Sequence, residues 1–471
     1  MDILNSLISS INDILWSYVL IALLITLGLY FSFKSKFVQI RYFKEMIKLL
    51  GNGLSSSSRK GKKEGSISSF QAFCISTASR VGTGNIAGVA IAISLGGPGA
   101  IFWMWLIALI GAASSFVEST LAQIYKQDNG DGTFIGGPAY YMERGLNKKW
   151  MGVTFSVLIT LCFGFIFNSV QANTITIAFN NSFGVNRAII GLILTAISTI
   201  VIFGGVTRVA KISEIIVPIM AVGYIAVALF VLITNITEFP SVVKLIFESA
   251  FGFKEVTGGT VGGAMLFGIK RGLFSNEAGM GSAPNAAATA DATHPVKQGL
   301  IQSLGVFTDT ILICSCTAFI ILLSSADYTD KSLTGITLAQ NALVTEIGSF
   351  AGAFLAICIL LFAFSSIVGN YYYGESNIGF LSNNKIMLNI YRFLVIAMVM
   401  FGSVAEVEIV WNLADVFMGL MAVLNLIAIT MLSKQAFATL RDYSDQKKRG
   451  IKDPVFRAST IKGLGKVTEW K

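Results

Sequence analysis

The chain has 471 residues, 54% of them hydrophobic and 13% charged, with a mean hydropathy of +0.70. It is too apolar for an ordinary soluble domain and too sparsely charged for a disordered one, and its repeated apolar runs near 20 residues predict a polytopic membrane protein. The net charge of +9 does not imply a nucleic-acid partner, because it lies between apolar runs and in the tail, where basic residues orient a membrane protein.

Eleven spans are expected, near residues 14–33, 67–95, 100–125, 151–178, 187–206, 212–234, 258–288, 296–324, 350–373, 386–404 and 409–432. The first lacks a basic lead and a small-residue cleavage pattern, so no cleavable signal is expected. A partly amphipathic stretch follows the sixth span, and residues 136–138 sit in a long polar loop. Lys34, Lys36, Arg41, Lys44, Lys48, Arg59, Lys60, Lys62 and Lys63 follow span one, and Lys126, Arg144, Lys148 and Lys149 follow span three. Arg208 and Lys211 follow span five, and Lys434, Arg441, Lys447, Lys448 and Arg449 follow span eleven. The alternate loops offer little beyond Arg187, Lys244, Lys254 and Lys331. Basic loops stay cytoplasmic, which predicts an outside N-terminus and a cytoplasmic C-terminus in a cell membrane.

Span two is unusual. Its middle carries Thr77, Ser79, Arg80, Thr83 and Asn85 among Gly82, Gly84 and Gly88. One reading is a small-residue face for close helix packing. The other is a broken helix whose bared backbone meets a ligand, since such backbone persists at membrane depth only inside protein or beside water. Span seven has the same character from Phe274 to Ser282. With span one set aside, spans two and seven each open a set of five, and an odd number per set inverts one set against the other. Interrupted segments at matching positions of inverted halves point to a transporter site at the midplane. This favours the ligand reading.

The expected organisation is an all-α membrane protein: an extra N-terminal helix (1–33), a basic cytoplasmic segment (34–66) and a first five-helix repeat (67–236). An extracellular segment (237–256), a second, inverted repeat (257–432) and a basic cytoplasmic tail (433–471) follow. The first helix of each repeat is discontinuous. Bared N–H groups and helix N-termini suit a carboxylate, while carbonyl, amide and hydroxyl oxygens suit an ammonium or a sodium ion. No soluble-enzyme motif competes. Residues 82–88 miss the dinucleotide spacing and follow no strand, and residues 263–270 only approach a phosphate loop.

The stretches SRVGTGNIAGVA (79–90), GGPGAIFWMW (96–105), GGPAYY (136–141) and RGLFSNEAGMGSAP (271–284) resemble the alanine/glycine:cation symporter family along essentially the whole chain. The resemblance implies the five-plus-five fold shared with the neurotransmitter:sodium symporters, and sodium-coupled uptake of small neutral amino acids. It implies Thr83, Gly84 and Asn85 around the cargo carboxylate, with Phe274, Ser275 and Gly279 on the opposite wall. Asn168 and Gln171, three apart on one helical face, belong to the span that contributes to the family's pocket through Gln171-Ala172-Asn173. Sodium is expected at the Ser365 and Ser366 hydroxyls and the Ala78 and Val81 carbonyls. Asn370 stands where the family pattern places a Trp, which implies a wider pocket and makes glutamine or serine a candidate cargo. The nearest alternatives are a proton-coupled carrier of the same fold and, further off, a channel.

Outside the site, Cys74, Cys162, Cys314, Cys316 and Cys358 fall in apolar spans and are expected as packing residues. One histidine, His294, expected in a loop, leaves no metal centre and no intramembrane enzyme. Sodium is the co-transported ion, with no other cofactor. Arg80, Glu118, Lys270, Arg271, Glu277, Asp309 and Asp415 are intramembrane charges that should face inward and pair, Arg80 with Glu118 or Glu277. Trp103 and Trp105 are expected as interface anchors, and Tyr371–Tyr373 as either anchors or part of an inner gate. The tail is expected to be solvated or to touch anionic lipid, and the protein to be a monomer.

Overall fold

The computed structural model describes residues 10–56, 66–130, 132–252, 260–330, 332–382 and 384–470. Arg59, Lys60, Lys62, Lys63, Lys254 and Lys331 lie outside the described residues. The chain is helical apart from a short hairpin pairing Gln127–Asp128 with Phe134–Ile135. Among the described residues, eight helices are long and apolar enough to cross a membrane. The shorter apolar helix Arg187–Ile202 and two broken segments add to them, consistent with the expected eleven crossings.

In chain order the helices are α1 (Ser10–Lys34), α2 (Phe43–Ser56), α3 (Ser69–Arg80), α4 (Val89–Gly96), α5 (Ala100–Ile124), α6 (Lys149–Phe183), α7 (Arg187–Ile202) and α8 (Gly205–Thr234). Then come α9 (Phe239–Phe251), α10 (Val261–Asn276), α11 (Ala283–Thr289), α12 (Pro295–Leu323), α13 (Ile336–Ile347), α14 (Phe350–Leu381), α15 (Lys385–Val404) and α16 (Val407–Lys448). α3 and α4 are the halves of the first broken segment, and α10 and α11 those of the second. Local chemistry sets their ends. α3 starts on a capping box, with Gln71 N–H donating to Ser68 Oγ at 3.1 Å and Ser68 N–H to Gln71 Oε1 at 3.0 Å. α10 starts on Thr260, whose hydroxyl accepts from Gly263 N–H at 3.1 Å.

α4 packs on α10 and α3 on α11, so the broken segments cross head to tail. α5 packs on α12, α6 on α14 and α7 on α15. The broken segments and α5, α6 and α7 thus each lie beside their counterparts in the second set, while α8 packs on α3, α14 and the end of α12. The core wraps this crossing, and α1 lies outside it against α5 and α16.

Three local expectations are corrected. The polar loop around Gly136 holds the hairpin and a buried helix, Pro138–Arg144, whose Tyr141 hydroxyl donates to Asn425. His294 is not a loop residue: it is fully buried and caps α12, its Nδ1 accepting from Val296 N–H at 3.2 Å and its Nε2 lying 3.1 Å from Asp442. Pro295 occupies the first turn, where its missing N–H costs nothing. The basic tail is not free. α16 runs on to Lys448, and the remaining chain folds back, with Trp470 Nε1 donating to Gln123 O at 2.8 Å and Phe456 N–H to Thr293 O at 3.0 Å. Two aromatic rings, Phe456 and Trp470, are buried where the tail folds back, while Lys452, Arg457, Lys462 and Lys466 beside them stay exposed.

Candidate functional site

The first segment breaks at Val81, which leaves the helical region (φ −81°, ψ 89°). The freed donors are taken by side chains. Gly82 N–H donates to Asn85 Oδ1 at 2.9 Å, and Thr83 N–H to Gln171 Oε1 at 3.0 Å. The Asn85 amide then donates to Asp309 Oδ1 at 2.6 Å, and the Asn85 carbonyl accepts from Thr317 Oγ1 at 2.7 Å. The Thr83 hydroxyl is buried and has no protein partner among the described residues. Chain direction resumes through a wide π-type turn, Gly84–Gly88, of the kind that recurs at functional sites.

The second segment meets the first here. A methyl added to Gly84 would lie 2.9 Å from the Phe274 ring and 3.2 Å from Ser275 Cα. Ser275 Oγ donates to Asp309 Oδ2 at 2.7 Å, so this one carboxylate ties both broken segments together, with Thr310 also donating to it at 2.8 Å. Cys314 adds its thiol 3.1 Å from Ser275 Oγ and 3.4 Å from the Asn85 amide. Toward the α4 end, Phe274 is packed between Phe167 (ring centroids 4.6 Å) and Trp411 (4.7 Å). Arg271 lies over Trp411 and pairs with Asp415 at 2.7 Å, a carboxylate it shares with Lys270 at 2.7 Å. The intramembrane charges Lys270, Arg271 and Asp415 therefore do face inward and pair.

The oxygen cluster expected for sodium is assembled at the end of α3. Ser366 Oγ lies 2.9 Å from Ala78 O and 3.5 Å from Val81 O, and Ser365 Oγ lies 3.4 Å from Ala78 O. Both hydroxyls also reach the Phe362 carbonyl in their own helix, at 2.8 and 3.1 Å, the packing role open to any buried Ser. A methyl on Gly82 would land on the Ser366 hydroxyl and lie 2.9 Å from Gln171 Oε1. The unwound strand held by Gln171 and the oxygen cluster thus meet at one glycine.

Other expected residues stand apart. Gly279 faces away from the Phe274 wall: its N–H donates to Glu118 at 3.1 Å and its carbonyl accepts from Asn425 at 2.9 Å. Asn168 turns its amide onto Gly164 O of its own helix at 3.0 Å. Asn370 lies a turn beyond Ser366, its Oδ1 2.6 Å from the Ser79 hydroxyl and its amide nitrogen buried without a partner. Arg80 pairs with neither Glu118 nor Glu277. It donates to Gln302 O at 3.1 Å, and its Nε and Nη2 have no hydrogen-bond partner. The two carboxylates are already engaged, Glu277 by Ser79 at 3.0 Å and Ser282 at 2.5 Å, Glu118 by Gly279 and Asn425. Trp105 does not simply anchor an interface: its indole donates inward to Ser315 at 2.8 Å. Tyr371, Tyr372 and Tyr373 are all buried. The residue that sequence reasoning left out of the site is Asp309, although an acid in the middle of an apolar span was signal enough.

Residues 1–458 match the model of the sodium:alanine symporter family. The probable sodium/glutamine symporter GlnT of Bacillus subtilis is 59% identical over 469 residues, covering 100% of this chain and 96% of that protein. The amino-acid carrier protein AlsT of the same organism is 54% identical, with 99% and 98% covered. Among solved structures, MhsT in complex with L-phenylalanine superposes with a TM-score of 0.54 at 16% identity, covering 83% of this chain and 99% of that one. That likeness carries the fold, and the family is one of carriers rather than enzymes. By whole-length match and by identity, this chain is a member of the sodium:alanine symporter family.

Proposed function

We propose that the protein couples sodium entry to the uptake of small neutral amino acids, alternating access around a midplane site as one helix bundle rocks against the other. The observation that carries this reading is the contact of the two broken segments at Gly84, Phe274 and Ser275 beside Asp309. A zwitterion taken from water needs both charges met. Thr83, Gly84 and Asn85 are assigned to the carboxylate, Asp309 adds negative charge for the ammonium, and Gln171 holds the unwound strand. Ser365, Ser366, Ala78 and Val81 are assigned to sodium, whose hardness suits oxygen ligands. Residues 67–236 and 257–432 are the two repeats. The C-terminus is assigned to the cytoplasm, which the basic loops favour, and the protein to a monomer in the cell membrane.

Glutamine belongs beside alanine among the cargoes. Asn370 leaves a buried amide donor unpartnered near the site, and the GlnT relative, by its name, takes glutamine. The test is uptake of labelled alanine and glutamine into proteoliposomes under a sodium, potassium or proton gradient. Sodium-driven accumulation with trans-stimulated exchange is expected. Accumulation under the proton gradient alone would move the coupling ion to the proton, and uptake without exchange would make the protein a channel.

A further inference from the structure

We propose that a groove at the basic end of the bundle, formed by the short helix Val38–Arg41, the start of α2 and Phe307 of α12, holds one anionic phospholipid. After α1 the chain reverses through two non-glycine residues in the left-handed region, Lys36 (φ 57°) and Phe37 (φ 52°). This reversal lays Val38–Arg41 against α5. The resulting cavity, about 530 Å³, is lined by Gln39, Ile40, Arg41, Phe43, Lys44 and Phe307. Its wall is apolar and open: Ile40 is 63% exposed and Phe43 40%. Arg41 and Lys44 are exposed at its edge. The nearby carboxylate, Glu45, is turned away onto Lys447 at 2.6 Å and Tyr443 at 2.9 Å, so it does not cancel them.

Gln39 lines the groove. It is 2% exposed, and its amide nitrogen is committed to Ser32 Oγ at 2.8 Å and Leu109 O at 3.2 Å. Its Oε1 is buried and has no partner among the described residues. The groove therefore offers two cations at its edge and an apolar wall. A phospholipid matches both: its phosphate for Arg41 and Lys44, and an acyl chain for Ile40, Phe43 and Phe307. A free phosphate matches only the first. The occupant would also bear on transport, because Phe43 stacks edge-on against Phe307 at 5.6 Å. Phe307 opens the wide turn Phe307–Cys314, which carries Asp309.

Lipid-stripped protein offered equimolar phosphatidylglycerol and phosphatidylcholine should, by native mass spectrometry, retain a single phosphatidylglycerol with a preference of about tenfold or more. The R41Q/K44Q variant should lose that preference, while K34Q/K48Q, which removes the same charge outside the groove, should keep it. Ile40→Gln, which spares the charges, should weaken retention as well and replaces the double variant if that does not fold. Equal retention of the two lipids, equal loss in both double variants, or displacement by millimolar inorganic phosphate would each overturn the proposal. The first means no head-group selection, the second diffuse attraction, and the third a phosphate site. Cargo uptake is not the readout, so the result stands apart from the cargo assignment.

Discussion

The two broken segments interrupt their crossings by different means. The first uses no left-handed residue at all: Val81 simply leaves the helix, and side chains of Gln171, Asp309 and Thr317 from other helices hold the strand open. The second turns through Glu277 (φ 56°), Gly279 (φ 84°) and Gly281 (φ 88°), and Glu118 and Asn425 clamp it. A strand held by exchangeable side-chain hydrogen bonds can trade partners with a cargo. A turn fixed by left-handed glycines cannot, because its shape is set by backbone sterics. On the proposed function, the first break would be the working surface and the second the abutment it works against.

Glycine substitutions test this division most severely. In Gly82→Ala the new methyl collides with Ser366 and Gln171, where cargo and ion assignments meet, so sodium-driven uptake should fall to background. Gly281→Ala forces a left-handed alanine, at about 1–2 kcal/mol, against the Phe155 ring (2.8 Å) and Asn425 (2.9 Å). It should lower the melting temperature of the purified protein while cargo still stabilises what remains folded. The comparison fails if Gly82→Ala melts early and Gly281→Ala does not.

Asn85→Ala comes next. It removes the group that joins Gly82 N–H to Asp309, so the thermal shift on adding cargo should vanish, while the protein still folds with a melting temperature lowered by the unpaired Gly82 N–H. Replacing Ser365 and Ser366 together by Ala deletes two of the four oxygens assigned to sodium. The sodium concentration for half-maximal uptake should rise about tenfold or more, since each lost polar contact to a charge is worth roughly 1.5–3 kcal/mol. An unchanged sodium dependence would return both serines to helix packing.

The breaks themselves could be read from sequence, because Gly82, Thr83, Gly84 and Asn85 make no sense on a lipid-facing helix and Phe274–Ser282 repeats the anomaly. Partnerships could not. Arg80, Glu118 and Glu277 were recognisable as buried charges, yet which hydroxyls and amides would satisfy the acids depends on contacts between residues nearly two hundred positions apart, such as Ser79 with Glu277. Asp309 was marked by its place in an apolar span, yet its partners Asn85 and Ser275 come into view only when α12 carries it between them. His294 was legible and misread: a residue before Pro that can accept from the backbone is a helix start. In the tail, the count of lysines and arginines masked two aromatic anchors, Phe456 and Trp470.

His294 also provides the gentlest way to load one segment and not the other. It sits just past α11, at the base of the second break, where burial pushes its imidazole down to about 4 against the opposing pull of Asp442. In the unfolded chain the ring titrates near 6.5. Between those values the unfolded state binds the extra proton, so the stability gained by keeping the ring neutral is present above about pH 6.5 and lost as pH falls toward 4. The melting temperature of the wild type should therefore fall between pH 7 and 4.5, more steeply than that of His294→Gln, which carries no titrating ring. The shift produced by cargo at each pH should be the same in both proteins if the first segment alone does the binding. A cargo shift that fades with acid in the wild type and holds in His294→Gln would mean that the abutment is part of the working surface after all.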